Sequence, residues 1–353
     1  MRVCILSTVN IKHMTLVSLY TRYLEENNIG YDIIYIDKYH SEEQIGAKNK
    51  YKFELNIDRS WSKPRKALAY MMFKPFAIKQ LKKGSYDFII TWNYLTALMF
   101  AFYLPRHYKG KYCLNIRDIT TFPFVNSVIG YAEKKAAFST VSSPAFIDYL
   151  PVGRYLHIHS MNMSILNKCT RRTSLKKEGE PIAITFIGYA CFYEPFYRLI
   201  DSMKNDARFK LNFFGQGTDA IKEYALSVHA ENVECIGRFE PSQTSELLNR
   251  TDMIFNLYGT ETVNLRTALS IKLYYAIYLR LPILVFPNTY MAEVTTECKI
   301  GYVVDTYDDL NDKLYAWYRG LDFNELNTSC ENYIEQINDS HKKLRELMRK
   351  NIH

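Results

Sequence analysis

A serine and a lysine two residues apart, Ser270 and Lys272, form a stretch of the sequence suited to binding an anion. Ser270 can cap a short helix that begins at Ile271, because its hydroxyl can accept a hydrogen bond from an amide of the first turn. Lys272 would lie in that turn, where the helix dipole disfavours a cation by about 0.3–1 kcal/mol. A bound anion reverses this cost, since free amides and an ammonium together bind phosphate. Ser270, Ile271 and Lys272 therefore predict a binding site for the diphosphate of a nucleotide; the alternative is a solvated lysine on a helix rim.

The segment around Ser270 is predicted to contain a strand, a loop, a short helix and a second strand. The strands cover residues 253–257 and 283–286, which are continuous apolar runs. The loop after the first strand holds Gly259, Glu261 and Asn264. In the helical part, apolar residues recur at three- and four-residue spacing, which predicts one stripe that faces the core. The residues of this stripe are Leu265, Ala268, Leu269, Leu273, Ala276 and Ile277.

This arrangement resembles the donor-site helix of GT-B glycosyltransferases, especially the GT4-like enzymes of bacterial capsule and O-antigen synthesis. In those enzymes the helix reads S-x-K-L and is followed by a glycine, a P-V pair and an apolar strand. The matching residues are Ser270, Lys272, Leu273, Tyr274, Pro282 and Ile283. Three positions depart from the motif, because Tyr275 and Thr267 replace two glutamates and Arg280 replaces the glycine. The resemblance implies that a nucleotide-sugar donor binds at the start of this helix.

The resemblance also implies donor contacts outside the helix. Gly188 follows a predicted strand at 182–187, and a side chain there would block close approach of the donor phosphate. GT-B enzymes usually supply an arginine and a lysine shortly afterwards; the first basic residue here is Arg198, so Arg198 and Arg266 are both candidates for that role. Glu261 and Asn264 would face the sugar or the ribose. The implied donor-binding residues are Gly188, Tyr189, Gly215, Gly259, Glu261, Asn264, Arg266, Ser270, Ile271, Lys272 and Tyr275.

A glycine-rich turn at residues 215–220 formally matches the dinucleotide fingerprint G-x-G-x-x-(G/A). It follows the second predicted strand of its domain, whereas the fingerprint belongs to the first strand–helix turn. We therefore do not predict NAD binding, and no other cofactor is expected. A G-x-G pair after this strand is common in GT-B proteins, so Gly215 is assigned to the donor side.

Predicted strands alternate with predicted helices through both halves of the chain. Such alternation is typical of α/β domains whose parallel sheets are covered on both faces. A polar, basic segment at 161–180 is typical of a linker between domains. We expect two Rossmann-like doubly wound domains facing a cleft, which is the GT-B architecture. The expected parts are an acceptor-binding domain at 1–165, a nucleotide-sugar-binding domain at 166–325, and a C-terminal helix at 326–353 that returns to the first domain.

Polar residues follow several predicted strands of the first half, where ligands of parallel sheets bind. Residues 115–119 resemble the (D/N)-I-R-D-L-W segment on the acceptor side of GT4-like enzymes, with Thr120 in place of the tryptophan. Asp118 would contact a sugar hydroxyl and Arg117 a phosphate; the alternative is a buried ion pair that closes a loop. An inverting enzyme needs a base near the acceptor, for which Asp118 and His13 are candidates, although His13 alternatively caps a helix or lies on the surface. The predicted acceptor-binding residues are Asn10, Trp92, Asn93, Arg117 and Asp118.

The composition is that of an ordinary globular chain. Its 353 residues are 48% hydrophobic and 23% charged, enough for two domains of about 150 residues. The seven cysteines form no C-x-x-C pair, so we predict neither a zinc site nor a disulfide framework, and the reducing cytoplasm is the expected compartment. The longest apolar run, 94–105, is too short to span a bilayer, and no cleavable signal is predicted. No D-x-D triplet is present, so we expect catalysis without a metal.

The segment 61–111 contains ten Lys or Arg residues but a single acidic residue, Asp87. Apolar residues such as Leu68, Met71 and Met72 are interleaved with these basic residues. Basic amphipathic stretches bind anionic lipid at about 1 kcal/mol per basic residue near the membrane. We predict contact with an anionic membrane surface; the alternative is a solvated face over an ordinary core helix. The net charge of +8 is not accompanied by a nucleic-acid-binding module, so no nucleic-acid partner is expected.

Together these features predict a cytoplasmic, metal-independent glycosyltransferase that is peripheral at the inner face of the cell membrane. It would move a sugar from a nucleotide-sugar donor, with a UDP-sugar favoured, to a lipid-linked oligosaccharide in bacterial surface polysaccharide synthesis. The likeness to GT4-like enzymes slightly favours retention over inversion. One alternative is a non-catalytic partner subunit of another transferase, which the missing glutamates and the missing basic pair favour. The other is a nucleotide-sugar epimerase of the same fold, which needs acidic and histidine groups for acid–base chemistry.

Overall fold

The computed structural model describes residues 1–40, 42–58, 60–120 and 124–352. The chain divides into two compact units. Unit 1 comprises Met1–His159 together with Asn338–His353, and unit 2 comprises Ser160–Ile337. Each unit is built on its own parallel sheet. In the part of the chain that the structure describes, no helix is both long enough and apolar enough to cross a membrane.

The sheet of unit 1 has the strand order β3-β2-β1-β4-β5-β6-β7, and every pair of neighbours is parallel. The chain therefore reverses its direction of winding between β1 and β4, and ligands of such sheets bind beside that point. The central strands β1, β2, β4 and β5 are buried throughout, as expected for a sheet covered on both faces. The strands are β1 (Val3–Ser7), β2 (Tyr31–Asp37), β3 (Asn49–Glu54), β4 (Phe88–Trp92), β5 (Tyr112–Ile116), β6 (Phe138–Val141) and β7 (Tyr155–His157).

Helices cover the sheet of unit 1. A short 3₁₀ turn, Ile11–His13, follows β1, and another, Pro144–Tyr149, follows β6. The helices are α1 (Ser18–Glu26), α2 (Lys63–Met71), α3 (Phe73–Gly84), α4 (Tyr94–Met99), α5 (Tyr103–His107) and α6 (Val125–Glu133).

Unit 2 repeats this architecture with the strand order β10-β9-β8-β11-β12-β13. Its winding reverses between β8 and β11, so the ends of these two strands are the expected place for a ligand. The strands are β8 (Ile182–Ile187), β9 (Phe209–Phe214), β10 (Val233–Ile236), β11 (Met253–Phe255), β12 (Ile283–Val285) and β13 (Gly301–Val303). The helices are α7 (Met163–Leu166), α8 (Glu194–Met203), α9 (Asp219–Ser227), α10 (Thr244–Asn249), α11 (Val263–Thr267), α12 (Ile271–Leu279), α13 (Tyr290–Glu297) and α14 (Leu310–Arg319).

A helix of 29 residues, α15 (Phe323–Asn351), belongs to both units. Its first part contributes Leu326 and Cys330 to the hydrophobic core of unit 2. Its last part contributes Leu344 and Met348 to the core of unit 1. Most of the segment predicted as a C-terminal helix, 326–353, thus lies in one helix that begins at Phe323.

The predicted fold class, two Rossmann-like doubly wound α/β domains, is confirmed. The strand predicted at 182–187 has the observed bounds of β8, whereas the strands predicted at 253–257 and 283–286 extend two residues and one residue beyond the ends of β11 and β12. The sequence analysis missed β3, β7 and β13. The edge strand β3 alternates between half-buried and exposed residues and carries Lys50 and Lys52, so it lacks the apolar run that indicates a buried strand.

Candidate active site

Helix α12 begins as the sequence predicts. Ser270 has extended backbone angles, φ −68° and ψ 147°, and its hydroxyl accepts a hydrogen bond from the Lys272 amide at 3.3 Å. The Leu273 amide donates to the Ser270 carbonyl at 3.0 Å. Ser270 is therefore the N-cap, and Lys272 lies in the first turn.

The prediction that this helix has a single core-facing stripe is wrong. The stripe residues Leu265 and Ala268 lie outside α12, and seven of the nine residues of α12 are buried. The reason is that α12 packs in one hydrophobic cluster with residues of the sheet and of α15, such as Ile254 and Leu326. A helix covered on most sides is apolar around most of its circumference. Lys272 is thus a charged residue inside a core helix.

The amino group of Lys272 is enclosed by aromatic side chains of unit 2. The residue is 3% exposed, and its Nζ atom donates a hydrogen bond to the Tyr258 hydroxyl. The same atom lies 4.7 Å from the ring centre of Phe186 and 4.5 Å from that of Tyr258. Burial lowers the pKa of Lys272 to about 7, because the charged form loses its hydration. The alternative of a solvated lysine on a helix rim is therefore wrong.

Two glycines bring the backbone close to this lysine. Gly188 directly follows β8 and has φ +139°, and a Cβ atom there would lie 3.6 Å from Lys272 Nζ. Gly215 also has φ +139°, and a Cβ atom there would lie 1.7 Å from the Gly188 carbonyl oxygen. Only glycine permits this approach and these angles. Gly215 therefore sets the position of the Gly188 turn, and the turn passes close to the amine of Lys272.

A cavity of about 90 Å³ lies at the carboxyl ends of β11 and β12. Three of the predicted donor-binding residues line it, namely Gly259, Asn264 and Ser270. Asn256, Tyr258 and Thr289 also line it and were not predicted. Tyr258 and Thr289 follow predicted strands by one and three residues, so the strand-end rule could have found them, whereas Asn256 lies inside the predicted strand 253–257. The cavity is lined by Asn256, Tyr258, Gly259, Asn264, Leu265, Ala268, Ser270, Phe286, Thr289 and Met291.

Two charged residues predicted to bind the donor, Glu261 and Arg266, lie in the loop before α11 and in α11 itself. Gly259 has φ +92°, and the exposed carboxylate of Glu261 folds over it, so a Cβ atom there would lie 2.4 Å from Glu261 Oε2. The Arg266 guanidinium donates to the Thr260 carbonyl at 2.7 Å. In contrast, Arg198 lies on α8, is exposed, and forms an ion pair with Glu194 at 3.4 Å. Arg266, on α11, therefore binds the loop that follows β11, whereas Arg198 belongs to a surface pair.

Two further predicted donor residues lie outside the cavity lining. Tyr189 follows Gly188 directly and is 59% exposed. Tyr275 is 5% exposed and packs within the hydrophobic cluster of unit 2, and burial raises its pKa to about 12. The residue that replaces the expected glutamate is thus part of the core.

In unit 1, the predicted acceptor residue Asn10 lies in the turn after β1 and is fully buried. Its side-chain amide donates to Asp37 at 2.8 Å and to Glu43 at 3.2 Å, and its oxygen accepts from the Lys38 amide at 3.0 Å. The Glu43 carboxylate also accepts from the amides of Ile11 and Lys12. Asn10 therefore holds the turn after β1 together. The turn itself binds a carboxylate of the same chain.

His13 lies at the end of the same turn. It is exposed, and its ring nitrogen lies 3.1 Å from the Tyr39 hydroxyl. Partial desolvation and the neighbouring Lys12 lower its pKa. A neutral imidazole of this kind can accept a proton, which is the property required of a base.

The other predicted acceptor residues follow β4 and β5. Asn93 caps α4, since its side chain accepts from the Thr96 amide at 2.9 Å. Trp92 is 2% exposed and belongs to the core, and the Arg117 guanidinium lies 5.3 Å from its ring centre. Asp118 is exposed and accepts from the Tyr94 amide at 3.2 Å. The surrounding protein raises the pKa of the Asp118 carboxyl by desolvation, although the side chain remains exposed.

Strand β7 ends in a histidine pair that the sequence analysis missed. The rings of His157 and His159 lie 4.0 Å apart, and His341 of α15 has a ring nitrogen 2.9 Å from the His159 carbonyl oxygen. Burial lowers the pKa of His157 to about 4 and lowers that of His159 further. Both imidazoles are therefore neutral at pH 7. No local sequence signal joins residues 157 and 341, which meet only through the tertiary fold.

No protein-family model matches the chain, and no curated protein matches it significantly. Several solved structures do match it in fold. Sucrose-phosphate synthase from Thermosynechococcus elongatus matches with a TM-score of 0.69 and 11% identity, over 99% of this chain and 98% of that chain. The Anabaena protein HepE in complex with UDP matches with a TM-score of 0.67 and 11% identity, over 99% and 100%. The chain has the GT-B fold.

The GT-B fold does not by itself decide the reaction. A putative UDP-N-acetylglucosamine 2-epimerase from Listeria monocytogenes matches this chain with a TM-score of 0.57 and 10% identity, over 97% of each chain. At such identities the likeness establishes the fold alone. The activity has to be argued from the residues at the carboxyl ends of the strands.

One departure from the GT-B donor-helix motif has a structural explanation. Arg280, in place of the glycine, has left-handed angles, φ 60° and ψ 47°, which cost a non-glycine residue about 1–2 kcal/mol. Its guanidinium donates to Asn327 Oδ1 at 2.6 Å and forms an ion pair with Glu331, both on α15. These contacts join the end of α12 to α15 and offset the backbone cost.

Proposed function

We propose that this chain is a glycosyltransferase that uses a nucleotide-sugar donor, with a UDP-sugar favoured. The observation that carries the proposal is the buried amine of Lys272, which faces Gly188 at the carboxyl edge of the unit 2 sheet. A lysine is seldom buried without an ionic partner unless a function requires it. A diphosphate is the ligand that suits an amine, an adjacent glycine turn and a helix N-terminus.

The donor diphosphate would convert Lys272 to its charged form and hold it there. The ammonium would then stabilise the charge that develops on the leaving nucleotide, which is electrostatic catalysis by a fixed group. Asn264 and Glu261 would contact the sugar or the ribose, with Arg266 as a second cation. This mechanism needs no metal, and metal independence is part of the proposal.

The acceptor is proposed to be a lipid-linked oligosaccharide that binds to the N-terminal domain, residues 1–165. Asp118 would contact its hydroxyl, because this carboxylate is exposed and has a raised pKa, as a general base requires. Arg117 would contact a phosphate, and His13 is the second candidate base. Retention of the anomeric configuration is slightly favoured, on the resemblance to GT4-like enzymes. The proposed process is bacterial capsule or related surface polysaccharide synthesis.

The proposed location is the cytoplasmic face of the cell membrane. An exposed apolar patch supports contact with lipid: Leu68 is 67% exposed, Met71 50% and Met72 56%. The patch lies at the junction of α2 and α3, and α3 ends with Lys82 and Lys83 in its last turn. Apolar residues that insert among lipids and lysines that pair with anionic headgroups are the two parts of a peripheral anchor.

A nucleotide-binding experiment tests the proposal. Purified protein is titrated calorimetrically with UDP, GDP, CMP and NAD, with magnesium and with EDTA. We expect selective binding of UDP that persists in EDTA and raises the melting temperature, because the ligand binds only the native state. Lys272→Met removes the amine and keeps an unbranched apolar chain, and it should weaken binding at least about tenfold. Lys299→Ala is the control, because Lys299 is an exposed lysine of unit 2.

The outcomes separate the three functions. UDP binding followed by sugar transfer to glycan acceptors supports the transferase. Binding with release of an epimerised sugar would identify an epimerase, and no binding of any nucleotide would identify a non-catalytic partner subunit. Equal UDP affinity in Lys272→Met and in the wild type would exclude Lys272 from the donor site.

A further inference from the structure

Unit 1 contains a second cavity, of about 320 Å³, that the proposed reaction does not use. It lies at the amino ends of β6 and β7, whereas Arg117 follows the carboxyl end of β5 in the same parallel sheet. Its size is within the range of small-molecule sites. It is lined by Glu133, Ala136, Ala137, Phe138, Ser139, Arg154, Tyr155, Leu156 and Leu347.

The cavity contains a buried carboxylate. Glu133 is 6% exposed, and its Oε1 atom accepts a hydrogen bond from the Arg154 amide at 2.9 Å. Gly153 allows the chain to pass over this group, since a Cβ atom there would lie 2.7 Å from the carboxyl carbon. Among the described residues, no lysine, arginine or histidine lies within ion-pair distance of Glu133. A buried carboxylate without a cation is costly, so a cationic ligand would be stabilised here.

The position of Glu133 on its helix adds to this cost. Glu133 is the last residue of α6, where the helix dipole presents partial negative charge. The same dipole that disfavours the carboxylate attracts an ammonium. Two lysines follow in sequence, but Lys135 donates to the Tyr131 hydroxyl at 2.9 Å and Lys134 is exposed.

An arginine of opposite charge lines the same cavity. The Arg154 side chain is exposed, and within the described ranges its guanidinium forms no ion pair, although its own amide binds Glu133. Two opposite charges thus line one cavity without neutralising each other. The ligand that pairs with both is a zwitterion.

The remaining lining fits the rest of such a ligand. Ala136, Ala137, Phe138 and Leu347 supply apolar surface. Ser139 also lines the cavity, and its buried hydroxyl has no hydrogen-bond partner among the described residues.

We propose that this cavity binds an α-amino acid with an apolar side chain. The ammonium would pair with Glu133 and with the C-terminal end of α6, the carboxylate would pair with Arg154, and the side chain would contact Phe138 and Leu347. The site lies in unit 1, whereas Lys272 and the cavity at the ends of β11 and β12 lie in unit 2. The proposal of this site therefore does not depend on the proposed glycosyl transfer.

The test uses the full chain and measures binding by calorimetry and melting temperature. The probes are L-leucine and L-phenylalanine, with isoamylamine and 4-methylvalerate as ligands that carry only one charge. We expect saturable binding of the amino acids and at least about tenfold weaker binding of the two single-charge ligands, because each loses one charge-assisted contact. Glu133→Gln and Arg154→Gln should each weaken amino-acid binding at least about tenfold.

Two further variants keep the result interpretable. Asp148→Asn removes an exposed acid of unit 1 outside the cavity and should bind leucine as the wild type does. Ala136→Leu leaves both charges in place and fills the cavity, so it should abolish binding. It therefore tests the site independently if Glu133→Gln fails to fold. The absence of amino-acid binding, its survival in Ala136→Leu, or equal binding of leucine and isoamylamine would overturn the proposal. UDP binding measured on the same samples reports separately on the donor site.

Discussion

The Lys272 amine donates a hydrogen bond to the Tyr258 hydroxyl inside a ring of aromatic side chains. The hydroxyl is a neutral partner, so it does not restore the hydration that the ammonium loses on burial. This explains a lysine whose pKa is lowered to about 7. Among the described residues, none forms an ion pair with this amine. A diphosphate bound beside Gly188 would provide an anionic partner.

Nucleotide binding is therefore expected to take up a proton. At pH 8 the amine of the free protein is mostly neutral, and the bound diphosphate raises its pKa, so close to one proton should be bound per nucleotide. Affinity should fall about tenfold per pH unit above pH 7, because the binding-competent charged form becomes scarce. Calorimetry between pH 7.5 and 9 in two buffers of different ionisation enthalpy measures the uptake. Lys272→Met should show a weaker affinity without this pH dependence; a wild type without proton uptake would contradict the assignment.

Gly215→Ala should destabilise unit 2 strongly. The new Cβ atom would lie 1.7 Å from the Gly188 carbonyl, at a φ of +139° that alanine rarely adopts. We expect a loss of about 2–4 kcal/mol in the free energy of unfolding, more than backbone strain alone costs. Gly179→Ala is the matched control, because Gly179 has φ +83° and a Cβ atom there would meet no described atom within 4 Å. Urea denaturation of both variants separates the clash from the strain, and equal losses would mean that the close approach does not matter.

Arg280→Gly should have a higher free energy of unfolding than Arg280→Ala. Both remove the contacts with Asn327 and Glu331, at a cost of about 1–3 kcal/mol. The glycine variant recovers about 1 kcal/mol, because glycine adopts the left-handed angles without strain. Thermal and urea unfolding give the comparison. An alanine variant as stable as the glycine variant would show that the backbone at this position relaxes.

Acidification should weaken unit 1 through the histidine pair. The pKa of His157 is about 4 in the folded protein, below the value of the unfolded chain, so the unfolded state binds more protons below pH 6.5. This contribution to stability should therefore be fully present above pH 6.5 and should be lost as the pH falls towards 4, by about 1.4 kcal/mol at pH 5.5 for His157 alone. Urea unfolding at pH 7.5 and pH 5.5 measures the loss. It should shrink in His157→Gln and persist in His107→Gln, which changes an exposed histidine.

Membrane contact should depend on the apolar patch of unit 1. Leu68→Glu should reduce sedimentation with vesicles that contain anionic lipid. It replaces a residue that inserts among the lipids by a carboxylate, which the anionic headgroups repel. Leu226→Glu is the control, since Leu226 is equally exposed, 67%, but lies in unit 2. Added salt should weaken the wild-type interaction. Equal sedimentation of both variants would mean that another surface carries the contact.

The sequence was sufficient to predict the parallel α/β class and the start of α12, because continuous apolar runs and a serine cap are local signals. It was also sufficient to point to Gly188, Ser270 and Lys272. It could not reveal that Lys272 is buried beneath Tyr258, since that depends on how α12 packs against the sheet and α15. The same holds for Tyr275, whose place in the core follows from packing on several sides of the helix. The edge strand β3 was missed because exposed, lysine-bearing strands lack an apolar signature.

Helix α15 has a consequence for synthesis of the chain on the ribosome. Domains usually fold in order from the N-terminus as they emerge. Here the core of unit 1 contains Leu344, Met348 and Ile352, and the Tyr23 hydroxyl donates to the Ile352 carbonyl at 3.3 Å, across 329 positions of sequence. We therefore expect the core of the first 159 residues to be completed only after α15 has left the ribosome. The sheet that is synthesised first would be the one whose core is completed last.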